Sequence, residues 1–170
     1  RSLAFVSFRD GGPAIWKVSR LGGRPTPLLS PGRDPAISPD GARIAFTRPG
    51  PEGAERIHVA PLGNPTEARI LTGNRDGLSN HSRPSWSPDG SRLVYCSLAP
   101  RGQWELWIVD AVAGGQRKFV GYGLFPEWAP DGDTILYQRA RERGREAKSG
   151  AWAKREDVGG RDDDEGRGEA

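Results

Sequence analysis

Apolar residues in this chain fall in short runs separated by stretches rich in glycine and proline. In Ile44-Ala45-Phe46, Leu93-Val94-Tyr95 and Ile135-Leu136-Tyr137 the apolar character sits on successive residues and does not alternate. A strand of that kind is covered on both faces, as in a sheet held between two others. Each run follows the same stretch: Pro35-Ala36-Ile37-Ser38-Pro39-Asp40-Gly41, Pro84-Ser85-Trp86-Ser87-Pro88-Asp89-Gly90 and Pro126-Glu127-Trp128-Ala129-Pro130-Asp131-Gly132. Ser/Ala-Pro-Asp-Gly suits a type I turn: proline presets φ, the aspartate caps the turn, and glycine is free to turn left-handed. The pattern predicts a hairpin in each copy.

The unit extends further. Arg56-Ile57-His58-Val59 and Leu106-Trp107-Ile108-Val109 read as third strands, each centred 18 residues beyond its turn aspartate. A glycine turn such as Gly114-Gly115 then leads to a short outer strand, Ala68 to Leu71 or Arg117 to Val120. Four meandering strands make a propeller blade, and turn aspartates 49 and 42 residues apart give the period of a repeat array. Leu3-Ala4-Phe5, Ile15-Trp16-Lys17-Val18, Gly22-Gly23 and Thr26 to Leu29 fit the last three strands of an earlier blade. The prediction is an all-β fold, a partial β-propeller of four-stranded antiparallel blades. It comprises a partial blade at 1–33, blades at 34–72 and 83–121, and a degenerate partial fourth at 125–137.

Composition adds a boundary. Residues 139–170 hold nine basic and nine acidic groups and few apolar ones, so 138–170 is expected to be a mostly disordered, low-complexity charged tail. Over the whole chain the net charge is +3 with both signs interspersed, and no basic run is interleaved with aromatics. A nucleic-acid partner is therefore not expected. No stretch approaches 18 apolar residues, so membrane insertion of this segment is not expected either. The sequence begins at Arg1 and contains no methionine; it is expected to be a piece of a longer chain whose remaining blades lie outside it.

The pattern P-x-W-S-P-D-G-x-x-[IL]-x-[FY], followed by an I-[YW]-x-V strand and a Gly-Gly turn, resembles the WD-repeat-like repeats of the TolB-type β-propeller family. The resemblance covers about residues 1 to 137. It implies a non-enzymatic scaffold that binds a protein partner, located in the bacterial periplasm or cell envelope. Similar repeats occur in the non-catalytic gating propellers of prolyl-oligopeptidase-like serine peptidases and in sensor propellers of bacterial signalling or regulatory proteins. Those alternatives stay open, because a repeat identifies a scaffold and not its function.

Residues with chemical potential are few. Asp40, Asp89 and Asp131 are each flanked by proline and glycine (Pro39 and Gly41, Pro88 and Gly90, Pro130 and Gly132), which assigns them to turn capping. Asp162-Asp163-Asp164-Glu165 lacks the spaced ligands of a calcium loop. His58, in a strand between Ile57 and Val59, and His81 have no second histidine or cysteine nearby for a zinc site. Cys96, the single cysteine, is expected to be a half-buried strand thiol. Gly77-Leu78-Ser79-Asn80-His81 does not make a nucleophile elbow. No catalytic residue, cofactor or metal is expected. The best candidate binding surface is the loop face formed by Thr72 to Ser82, Arg48 to Glu55 and Ser97 to Gln103, with Arg75, Asp76, Asn80, His81 and Arg83 as the partner-contacting residues.

Overall fold

The computed structural model describes residues 2–73 and 78–139. Arg75, Asp76 and the predicted tail from residue 140 onward, with its acidic run, lie outside the described residues. The first sheet is antiparallel, in the order β1 (Ser2–Ser7), β2 (Ala14–Ser19), β3 (Thr26–Leu29). The second is a full four-stranded blade of β4 (Arg33–Ile37), β5 (Arg43–Pro49), β6 (Glu55–Pro61) and β7 (Arg69–Ile70), with a 3-10 turn at Pro65–Glu67 before its last strand. The third contains β8 (Ser79–Trp86), β9 (Arg92–Leu98), β10 (Trp104–Asp110) and β11 (Arg117–Trp128), extended by β12 (Ile135–Arg139).

The strand limits differ from the expected boundaries at four places. The third blade begins at Ser79, not at 83, because Ser79 and Ser82 are captured by the ladder opposite Leu98 and Cys96 despite their weak strand preference. Its outer strand does not stop at 121. In its first half β11 pairs with β10, and from Gly123 to Trp128 it pairs with β12, so one strand closes the third blade and opens the next. The first sheet gives up Arg33 to β4, and β12 extends to Arg139.

Burial explains the unbroken apolar runs of β5 and β9, whereas the third run departs from the expectation, with Leu136 44% exposed. Ile44 and Phe46 face the first sheet, packing with Ile15 and Ala60, while Ala45, between them, joins Ile57, Val59, Leu93, Tyr95 and Trp86 in the seam between the second and third blades. Ile44, Ala45, Phe46, Leu93, Val94 and Tyr95 are all fully buried. Each large side chain so placed contributes roughly 1.5–3 kcal/mol of transfer free energy.

The turns are built alike. Ser38 Oγ donates to Asp40 Oδ1 at 2.5 Å and accepts the Arg43 N–H at 2.9 Å, while Asp40 accepts the Ala42 N–H at 3.0 Å. Ser87, Asp89, Ser91 and Arg92 repeat this arrangement, and the Ser91 hydroxyl adds a bond to Asp89 Oδ2 at 2.7 Å. The glycine that follows each aspartate has φ of 70–78°, which only glycine adopts without strain. Alanine replaces the serine in the third copy, and Asp131 takes over: its Oδ1 accepts both the Asp133 and Thr134 amides at 2.9 Å. The Ser38 hydroxyl, then the Ala42 amide, hold the Asp40 carboxyl below the usual carboxylate range; Ser87 and Ser91 do the same for Asp89.

The residue three beyond each of the first two turn aspartates pins the next blade. Arg43 Nη2 donates to Gly90 O at 2.7 Å, and its guanidinium lies 4.6 Å from the Trp86 ring. Trp86 Nε1 donates back across the seam to Ala36 O at 2.9 Å. Arg92 lies 5.0 Å from Trp128 one blade on, and the Trp128 amide donates to Ser85 Oγ at 3.0 Å.

Replacing Trp86 by Ala is expected to cost about 3–5 kcal/mol through the cavity it leaves. Arg43→Met should cost about 1–2 kcal/mol, for a stacked and hydrogen-bonded cation. Urea unfolding of the single and double variants checks this, and the two effects should not add, since the side chains touch. Ser87→Ala should lower the urea midpoint near neutral pH and flatten the acid limb. Asp89, held low in the fold, stabilises above its unfolded pKa and loses that contribution as pH falls through its folded value. The drop between about pH 5 and about pH 2 should therefore be smaller in the variant than in the parent.

Candidate functional site

The inner strands β4, β8 and β11 lie side by side in chain order, and each departs from regular pairing at the same place. The ladders shift register between Arg33 and Ala36, between Ser82 and Ser85, and between Leu124 and Glu127. At each shift the residue just before the repeat proline has positive φ: Asp34 at 46°, Arg83 at 54° and Phe125 at 54°. The proline ring normally pushes its predecessor toward extended geometry, and non-glycine residues rarely enter the left-handed region. Such a conformation costs roughly 1–3 kcal/mol per residue and is held by its surroundings; Pro84 and Pro126 are buried, which anchors two of the three.

The bulges turn these side chains into one row across three blades. Asp34 Oδ2 accepts the Thr47 hydroxyl and the Arg83 amide, both at 3.3 Å. Arg83 Nη1 lies 4.0 Å from Asp34 Oδ1, with the two side chains 48% and 25% exposed. The same guanidinium stands 4.1 Å from the centre of the Phe125 ring, which is itself 47% exposed. An exposed ion pair of this length contributes about 0–1 kcal/mol and an exposed cation–π contact about 0.5–1 kcal/mol. Those gains fall short of the strain of three left-handed residues, so contacts within the row do not account for its geometry.

Beneath and beside the row lie groups with displaced proton affinity. Cys96 is fully buried, not half-buried as expected, and burial pushes its thiol up to about 11 although the Phe125 amide points at the sulfur. It is no nucleophile in that state. Burial also raises the Glu55 carboxyl, with Arg33 opposing the shift and Asp34 adding to it.

Of the residues expected on the loop face, Asn80 (φ 49°) and Arg83 are exposed. His81 is not: it points into the seam with no exposed surface. Its Nδ1 lies 2.7 Å from Thr72 Oγ1, which also accepts the Ile57 amide, and its ring tilts against Tyr95. The irregular pairing of β8, shifted in register between Ser79 and Ser82 with Asn80 at positive φ, turns it inward, so the polar reading of this stretch fails at His81. Burial first, then the Arg56 and Arg117 cations, lower its pKa to about 3. His58 is buried as well, stacked on Phe46, with Nδ1–H donating to Arg56 O at 3.1 Å, and burial lowers its pKa. Asp40, Asp89 and Asp131 stay in their turns. Among the described residues no three His, Cys, Asp or Glu side chains are grouped to hold a metal ion, and no helix is long and apolar enough to cross a membrane. Asp34 and Phe125 escaped the sequence reading. The signal was there, since both precede the repeat proline at the position Arg83 holds.

No protein-family model and no curated protein sequence matches the chain. Among solved structures it is similar to a putative TolB from Agrobacterium tumefaciens (TM-score 0.68, 23% identity), over 79% of this chain and 48% of that one. It is similar to TolB from Acinetobacter baumannii (TM-score 0.70, 23% identity), over 85% of this chain and 36% of that one. It also resembles the β-propeller domain of the Trilobed protease from Pyrococcus furiosus (TM-score 0.57, 18% identity), over 86% of this chain and 47% of that one. The chain thus spans less than half the length of each. The fold is a TolB-type β-propeller.

Buried neutral His81 gives the seam a pH response. Its folded pKa lies below the unfolded value near 6.5, so above about pH 6.5 it has no effect. Below that, the unfolded chain takes up a proton that the folded chain refuses. Stability should fall by at most about 1.4 kcal/mol per pH unit down to about pH 3. Urea midpoints of the parent and His81→Gln at about pH 7 and about pH 5 should differ in slope, with the variant the flatter.

Proposed function

We propose that the chain is a non-enzymatic interaction scaffold that holds a protein partner against the row Asp34, Arg83 and Phe125. One observation carries this reading: the same strained backbone recurs in three blades, yet the side chain it presents is an acid, a base and an aromatic ring. The turns do the opposite and keep their side chains nearly constant. Fixed geometry with variable side chains is how a rigid scaffold carries recognition. Asn80 extends the candidate surface, and Arg75 and Asp76, a few residues earlier in the sequence, stay in the proposed contact set. The likeness to TolB structures supports a place in the bacterial envelope. The likeness to the protease propeller favours a second reading, a gating propeller attached to a peptidase domain.

A photo-crosslinking residue at position 125 tests the proposal in a bacterial envelope extract. A discrete crosslinked protein is expected, lost on Arg83→Glu and absent when the probe replaces Leu21, which is 90% exposed in the turn between β2 and β3. Equal labelling from both positions would overturn the reading. A captured peptidase domain would favour the second one.

A further inference from the structure

The outer strand of the third blade carries rings that the core does not enclose. Trp107 packs against the seam cluster. Phe119 lies 5.3 Å from it at 67°, and Tyr122 lies 5.2 Å from Phe119 at 66°. Phe119 and Tyr122 are 42% and 44% exposed. Three residues along a regular strand, Tyr122 would face away from Phe119. A bulge brings it round: Leu106 sits opposite Gly121 and Trp107 opposite Phe119, so Val120 is the extra residue. Bulges re-aim side chains in this way, often beside functional surfaces. The first two sheets have no such ladder, since Pro27 and Ile70 stand opposite Trp16 and His58.

The ring angles favour one ligand chemistry. Coplanar rings form a platform for the flat face of a base or a sugar, whereas rings at steep angles leave clefts between them. Aromatic-lined clefts dock proline-rich segments, whose pyrrolidine rings stand out from a preformed backbone. Polyproline II brings every third residue to the same side, about 9 Å apart. The two ring-to-ring steps from Trp107 to Tyr122 together span that distance. Its carbonyls have no internal partners, so one can accept from the Tyr122 hydroxyl. Charge sets a direction. Glu105, opposite Tyr122, accepts the Trp107 indole N–H at 3.1 Å, while the Arg117 guanidinium stands 5.1 Å from the Trp107 ring. A cation on the ligand is therefore drawn to the Glu105 end.

We propose that Trp107, Phe119 and Tyr122 dock a proline-rich segment of a protein partner in polyproline II conformation. Prolines three apart sit against Trp107 and Tyr122, on either side of Phe119, and a flanking Arg or Lys meets Glu105. This surface is separate from the row Asp34, Arg83 and Phe125.

The probe is the synthetic peptide acetyl-Arg-Pro-Pro-Ala-Pro-Pro-Ala-Pro-Pro-amide, titrated into the isotope-labelled chain and followed by amide and indole chemical shifts. Saturable shifts should concentrate on Arg117 to Tyr122 and on the Trp107 indole. Replacing the peptide's prolines by alanine should weaken binding about tenfold or more, and so should Phe119→Leu or Tyr122→Leu in the chain. Leucine keeps apolar bulk at these exposed positions, so the fold is retained and the loss reports the ring. Glu105→Gln, which retains an acceptor for the indole, should cost about threefold at low salt and nothing at about 1 M salt, where an exposed pair is screened. Arg83→Glu should leave the titration unchanged, which separates this result from the fate of the row. No saturable shift on β11 at millimolar peptide, equal shifts with the alanine peptide, or stronger ones with cellohexaose would overturn the proposal.

Discussion

A sheet that is apolar on both faces cannot stand alone in water, and the rest of this structure follows from that constraint. The second strands β5 and β9 place fully buried residues on opposite faces in succession. Each of those blades therefore needs a neighbour on either side, and the hydrophobic effect, which is not directional, must be given direction by polar contacts. Arg43 and Trp86 do this across one seam: a cation on a ring, a guanidinium bond to Gly90 and an indole bond to Ala36 fix how two greasy surfaces meet. The turn and the seam are thus one device. Ser38 and Asp40 shape the hairpin that presents Arg43 to the following blade.

Against this constant framework the inner strands are irregular. Their bulges place residues in left-handed backbone immediately before proline, in surroundings that weak contacts along the row do not repay. The seam supplies the stability that tolerates them. Buried His81 and Cys96 sit close to the same strands, yet both are held in their neutral forms by lack of water. The chemistry on offer is recognition by shape and charge at the exposed row.

How much of this was legible in the sequence depended on whether the controlling interaction was local. The turns could be read because Pro, Asp and Gly act within four residues. The unbroken runs at Ile44 and Leu93 announced burial on both faces. The start of β8 could not be read in the same way: Ser79, Asn80 and Ser82 have no strand signature of their own, and only pairing with β9 makes them strand. His81 looked exposed among polar neighbours because the irregular register that turns it inward is set by pairing with β9. The row was half legible. Arg83 stood out as a charge, whereas Asp34 and Phe125 acquire meaning only when three chain-distant positions are brought into line.

The junctions between blades differ in kind. Between the second and third blades the outer strand ends at Ile70 and the next strand begins at Ser79. After the third blade the strand does not end: β11 runs for 12 residues as outer strand and then inner strand. That strand is a lever shared by two blades. A load or twist applied to β12 passes along it to β10, so this end of the molecule transmits mechanical strain as a unit.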